Sequence, residues 1–147
     1  MSIVDDYLRG HKTAEQVIES LEEDLSLISE VASDGSWNLL HSAIQKEDLN
    51  FLHNLLIFLS GNNLLNEFID KVTAGGNTPI CLAVQKKSFE MFNKLKDSGA
   101  DIYARGDNGN SAVWTAACFP CGASIKEAII EITGEAGILQ TIIAEEM

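Results

Sequence analysis

Apolar residues recur at helical spacing in blocks along the chain, and clusters of polar residues and glycine separate the blocks. Residues 3–9 form a first short helical block, and Gly10-His11-Lys12 reads as a turn. Thr13-Ala14-Glu15-Gln16 has the spacing of a capping box, with Thr13 as cap and Gln16 three residues on. Ala14, Val17, Ile18, Leu21, Leu25 and Ile28 then share one face, with Glu15, Glu19, Glu22 and Glu23 mostly opposite. This predicts one amphipathic helix through Ile28, broken by Asp34-Gly35-Ser36. Asn38 can cap a helix starting at Leu39. A partner helix beginning near Asp48 uses Leu49, Leu52, Leu55, Leu56 and Leu59, and Gly61-Asn62-Asn63 ends it. Leu64, Leu65, Phe68, Ile69 and Val72 make a further apolar patch.

The middle of the chain is the most regular. Thr78-Pro79 reads as a helix start, since the hydroxyl caps and proline is tolerated at the first helical position. That helix runs to about residue 86, and a second carries Phe89, Met91, Phe92 and Leu95 up to a stop at Gly99. Asp107-Asn108-Gly109-Asn110 is a strong turn signal, after which Ser111 to Ala116 restarts the pattern. Phe119-Pro120-Cys121-Gly122 lengthens the next turn, and Ser124 can cap a helix carrying Ile125, Ala128, Ile129 and Ile132. Gly134 and Gly137 are weak points, and residues 138–146 read as a last helix.

Gly76-Asn77-Thr78-Pro79-Ile80-Cys81-Leu82-Ala83, followed by Ser98-Gly99-Ala100-Asp101, resembles an ankyrin repeat. The signature of that repeat is T-P-L-H-x-A with G-A-D about twenty residues later. Asn38-Leu39-Leu40-His41-Ser42-Ala43 and Ser111-Ala112-Val113-Trp114-Thr115-Ala116 are degenerate forms of the signature. Thr78 and Ser111 lie 33 residues apart, the ankyrin period, whereas Asn38 and Thr78 lie 40 apart. The difference implies an insertion, most simply an extra helical turn around residues 64–71. The resemblance implies an all-α, ankyrin-repeat solenoid of helix-turn-helix units with short hairpin-like finger loops and helical caps. Its expected divisions, within one domain over 1–147, are an N-terminal cap (1–33), a first repeat with the insertion (34–72), a second (73–105), a third (106–133) and a C-terminal cap (134–147). Such units cannot bury an apolar face alone and must stack. Ala43, Ala83 and Ala116 recur at one place because the first helices then pack closely. Cys81, Lys87 and Lys96 stand where the family usually has His, Gly and Leu. Cys81 and Trp114 at the histidine position put that position's hydrogen-bond ladder in doubt, and Lys96 implies a more solvated second layer.

Composition narrows the partners. In 147 residues, 22 Asp and Glu stand against 10 Lys and Arg, for a net charge of −12. Nucleic acid and anionic membranes repel such a surface, so a basic or neutral protein is the easier partner. A hydrophobic fraction of 46% argues against disorder. Neither a signal-peptide pattern nor an apolar run of about 18 residues is present, so no membrane helix is expected, and a cytoplasmic, reducing setting is the default for Cys81, Cys118 and Cys121.

The resemblance implies a non-enzymatic protein-interaction module, an adaptor or inhibitor, that needs no cofactor and binds through finger loops and the concave helix face. The corresponding tip positions include Ser36, Trp37, Ala74, Gly75, Asn77, Arg105, Asp107, Asn108 and Asn110. The inner-face positions are Gln45, Lys46, Gln85, Lys86, Cys118 and Phe119. Trp37, Arg105 and Phe119 are the expected anchors, because aromatic and arginine side chains dominate interface energetics. Tyr103 either covers its loop or faces a partner.

Other chemistry finds less support. Cys118-Phe119-Pro120-Cys121 is a C-x-x-C, but it ends a helix without a βαβ pattern and lacks two further zinc ligands. His41 and Cys81 occupy one signature position in successive repeats, which makes them structural rather than a nucleophile–base pair. Two alternatives stand beside the leading reading: a regulatory fragment or subunit of a larger enzyme, and a thiol-redox protein using Cys118 and Cys121. Divergent ankyrin proteins are also similar to some effectors that intracellular bacteria deliver into host cells. Glu145-Glu146 is similar to the glutamate-bearing tails of certain secreted effectors, a reading that places the chain in host cytoplasm.

Overall fold

Helices begin where a short polar side chain can accept a free backbone amide, and this recurs along the chain. Ser2, Asn38, Thr78 and Ser111 accept from the amides of Asp5, His41, Cys81 and Trp114 at 3.2, 2.9, 3.4 and 3.2 Å. Each thereby satisfies one of the orphan donors of a helix start. Thr13, Asp48 and Ser88 do the same for the helices that follow. The computed structural model describes residues 2–32, 38–72, 77–106, 109–118 and 123–133, with backbone only at 117, 118 and 133.

The described helices are α1 (Ile3–Leu8), α2 (Ala14–Glu23), α3 (Leu39–Gln45), α4 (Leu49–Gly61), α5 (Leu65–Phe68), α6 (Pro79–Gln85), α7 (Phe89–Asp97), α8 (Ala112–Cys118) and α9 (Ala123–Thr133). They stack in two layers. The first-layer helices α1, α3, α6 and α8 contact one another in that order; α2, α4, α7 and α9 form the second layer in the same order. Among the described residues there is no strand. The core lies between the layers, where Phe51, Leu52, Leu55, Leu59, Ile80, Phe92 and Leu95 are fully buried.

The two N-terminal helices are a helix-turn-helix stacked in register with the rest. Tyr7 stands five residues past its cap, where the other units carry Ala43, Ala83 and Ala116. Its ring packs on Phe51 at 4.5 Å, and its hydroxyl donates to Asp48 Oδ2 at 3.1 Å. Burial, then the Asp48 charge, raises the phenol's pKa, so it remains a donor.

The helix opening at Thr13 ends at Glu23 instead of continuing through Ile28. Asp24 adopts an extended backbone, and its Oδ1 accepts from the Ser26 amide at 3.1 Å and the Ser26 hydroxyl at 2.6 Å. This local capture by a short acidic side chain competes with the helix and restarts the chain as a 3-10 turn over Leu25–Ser29. Ile28 is buried by that turn, whereas Leu25 is exposed. Ser124 lies inside α9, which begins at Ala123, and Phe89 is 38% exposed although it opens the apolar face of α7.

The extra helical turn expected after α4 is α5, packed on α4. Asp70, just beyond it, accepts the Asp101 amide at 2.9 Å and ties the insertion to the segment after α7. Gly99 ends α7 at φ +101°, and the Ala100 amide reaches back to the Leu95 carbonyl at 3.0 Å. Lys96 does not open the second layer: Met91, Phe92 and Leu95 remain buried beside it, and its ammonium lies 3.7 Å from Asp97.

The turns inside the first three units all need a left-handed residue. Gly10 takes it at φ +78°, but Glu47 and Lys87 take it at +54° and +61°. A side chain there costs on the order of 1–2 kcal/mol, which glycine avoids at some cost in unfolded-state entropy. Lys87 is exposed. Lys87→Gly is therefore expected to stabilise the chain by about 0.5–1 kcal/mol in a urea titration. A lowered midpoint would mean that the lysine side chain contributes more than the strain removes.

Candidate protein-binding surface

Ala43, Ala83 and Ala116 are completely buried, so the first-layer helices approach closely and their loop ends fall into register. A hydrogen-bond ladder holds that register. His41 Nε2 lies 2.7 Å from the Asn77 carbonyl, which precedes the next cap. Its Nδ1 lies 2.8 Å from Asn38 Oδ1, the atom that also accepts the His41 amide. One unit on, Cys81 Sγ donates to the Asn110 carbonyl at 3.7 Å, again the residue before the cap. The ladder thus survives the replacement of histidine by cysteine, with a weaker sulfur donor at the second rung. Burial lowers the His41 pKa to about 4, against a smaller opposing effect of the Asn77 carbonyl. Burial likewise pushes the Cys81 thiol up, opposed by hydrogen bonds to Thr78 and Thr115. Cys81 is therefore a buried thiol held in its protonated form, which suits a structural place in the ladder.

Around this frame the sequence-predicted site residues take different places. Gln45 and Gln85 end the adjacent helices α3 and α6 at equivalent positions; Gln45 is exposed and Gln85 half-buried. Gln85 Nε2 donates to Asn77 Oδ1 at 3.0 Å, which joins the helix end to the loop before its own cap. Lys86, half-buried, follows α6 as Lys46 follows α3. Lys46 faces the N-terminal unit: its ammonium donates to the Tyr7 carbonyl at 3.0 Å and lies 4.3 Å from the centre of the Tyr7 ring. Nothing in the spacing of Tyr7 and Lys46 signalled that contact.

The loop between α7 and α8 turns back on itself. The Gly106 amide donates to the Asn110 carbonyl at 3.0 Å, and the Gly109 amide to the Gly106 carbonyl at the same distance. Arg105 is exposed across this turn, with Nη1 donating to the Gly109 carbonyl at 3.2 Å. Asn110 acts through its backbone, which serves both the turn and the ladder. Tyr103 is exposed, not folded over the loop. Trp37, Asp107, Asn108, Phe119 and Cys121, the tip positions Ser36, Ala74 and Gly75, and the C-terminal cap over 134–147 lie outside the described residues, as does the Cys118 side chain. Among the described residues no group of three or more His, Cys, Asp or Glu side chains could hold a metal ion, and no helix is long and apolar enough to cross a membrane.

A two-layer helical stack, capped at a recurrent polar residue and laced by a ladder between loops, is the ankyrin-repeat fold. The family model described as ankyrin repeat matches residues 75–107, the most regular unit. Among solved structures the chain is similar to the ankyrin repeat domain of Bcl-3, described as a unique member of the IkappaB protein family, at 17% identity and a TM-score of 0.69. The match covers 92% of this chain and 57% of that one, so this chain spans little more than half the domain it resembles. No curated protein matches the sequence. Ankyrin repeats as a class mediate protein–protein interaction.

Proposed function

We propose that this chain is a non-enzymatic interaction module, an adaptor or inhibitor, that grips a partner protein with its loop tips and the exposed side of its first helix layer. The observation that carries the reading is the registry of that layer. Equivalent glutamines, Gln45 and Gln85, end adjacent helices, and Asn77 and Arg105 lie in the loops of the same stack. Repeated polar side chains on rigid supports lose little entropy on binding, which favours recognition. Trp37, Lys46, Lys86, Asp107, Asn108, Asn110 and Phe119 join this surface on the sequence pattern. The chain's net charge of −12 favours a partner whose contact face is basic or neutral.

Affinity capture with the whole chain, read by mass spectrometry, tests the reading. The effector possibility makes a eukaryotic lysate the informative bait pool beside a bacterial one. Arg105→Glu and Trp37→Ala are each expected to weaken a captured partner at least tenfold, on the order of a hot-spot loss, while circular dichroism stays unchanged. Undiminished affinity in both variants would reject this face.

A further inference from the structure

The insertion that creates α5 also creates a groove in the second layer, on the other side of the stack from the surface proposed above. It lies between α4 and α7, with α5 at one end, and is an open cleft of about 450 Å³. That volume falls within the roughly 300–1,000 Å³ usual for sites that bury a ligand. Leu56 and Leu65 line it, and Ile57, 58% exposed, stands at its rim. Its polar end carries His53, Lys94 and Asp97. Lys94 Nζ lies 3.1 Å from His53 Nδ1, within hydrogen-bond distance. Among the described residues Lys94 makes no ion pair, while Asp97 already has Lys96 at 3.7 Å. A half-buried cation beside an apolar floor, on a chain with 22 acidic and 10 basic residues, has the opposite sign to the molecule around it.

We infer that this groove is a second docking site, for a peptide segment of a partner protein that presents an aliphatic side chain next to a carboxylate. The aliphatic group covers Leu56, Leu65 and Ile57, and the carboxylate takes a charge-assisted hydrogen bond from Lys94. A second copy of this chain is a poorer occupant, since two bodies of charge −12 repel. The inference does not rest on the loop-tip reading, because it uses the opposite layer and different residues.

The test is a titration of the isotopically labelled whole chain with the blocked tripeptide acetyl-Leu-Glu-Leu-amide, followed by amide chemical shifts. A ligand of this size is expected to bind with a Kd on the order of 1 mM. Shifts should concentrate at His53, Ile57, Leu65 and Lys94 and survive in Arg105→Glu. Lys94→Gln should weaken them about tenfold, as should replacing the peptide's Glu by Gln, the loss expected for one charge-assisted bond. Ile57→Glu, a change at an exposed site, should abolish them without altering the fold. Equal affinity for the Glu and Gln peptides, shifts mapping elsewhere, or a dimer that Lys94→Gln dissolves would each overturn the inference.

Discussion

Phe92→Ala is expected to cost about 3–5 kcal/mol, the usual loss for emptying a buried aromatic site. Phe92 is fully buried on α7, the helix that touches α4 on one side, α9 on the other and α6 below. Domains of this kind have about 5–15 kcal/mol in all, so one such cavity takes a large share of it. Position adds to the effect. In a stack each unit is stabilised by its neighbours, and an end unit can fray while the rest survives. A lesion in the α6–α7 unit weakens the contacts on both sides at once. The expected result is therefore one cooperative thermal transition lowered by about 10 °C or more, not a split into two. Phe92→Leu keeps most of the volume and should lose less than half as much. A Phe92→Ala chain within about 1 kcal/mol of the parent would show that the surrounding side chains collapse into the gap, and that the middle unit is not the keystone.

The α6–α7 unit was legible because every local signal agreed. Thr78 capped, Pro79 followed, Gly99 took the left-handed turn, and the apolar spacing between them was helical. The insertion was legible as a number, the excess of one spacing over the next, and α5 appeared where that excess fell. The acidic run of the N-terminal helices points to a cap, yet they repeat the same design: an N-cap at Ser2, a left-handed turn at Gly10, a second N-cap at Thr13. Tyr7 in place of the recurrent alanine hid the likeness. Helical spacing alone extends α2 to Ile28, but the Asp24 carboxylate offers the backbone a different partner.

The candidate surface was less legible than the fold. Sequence placed residues at repeat positions but could not say what each side chain touches. Gln85 with Asn77 is a contact within one unit, eight residues apart. Lys46 with Tyr7 and Lys94 with His53 join different units, 39 and 41 residues apart, and no spacing encodes them. The second of these places the Lys94 ammonium beside His53 at the α4–α7 groove.

The ladder makes the last prediction, a dependence of stability on pH centred on one imidazole. His41 is completely buried, with its ring nitrogens between Asn38 Oδ1 and the Asn77 carbonyl. Its pKa falls from 6.5 to about 4 in the folded chain because burial disfavours the imidazolium. As pH drops below 6.5 the unfolded chain takes up a proton at this residue and the folded chain does not. The contribution of neutral His41 is thus complete above pH 6.5 and is lost progressively down to about pH 4. At 1.36 kcal/mol per unit the full loss is about 3 kcal/mol. Carboxylates titrate over part of the same range, so the parent must be compared with a variant that lacks only the imidazole. His41→Cys supplies it, since cysteine already fills the equivalent rung at Cys81. The variant should be less stable at pH 7, having exchanged a 2.7 Å contact for a sulfur donor. Its disadvantage should then shrink by about 3 kcal/mol between pH 6.5 and 4 in parallel urea titrations. A disadvantage that stays constant with pH would place the His41 imidazole in solvent-like surroundings, and would remove the first rung of the ladder from the account of how the loops are held in register.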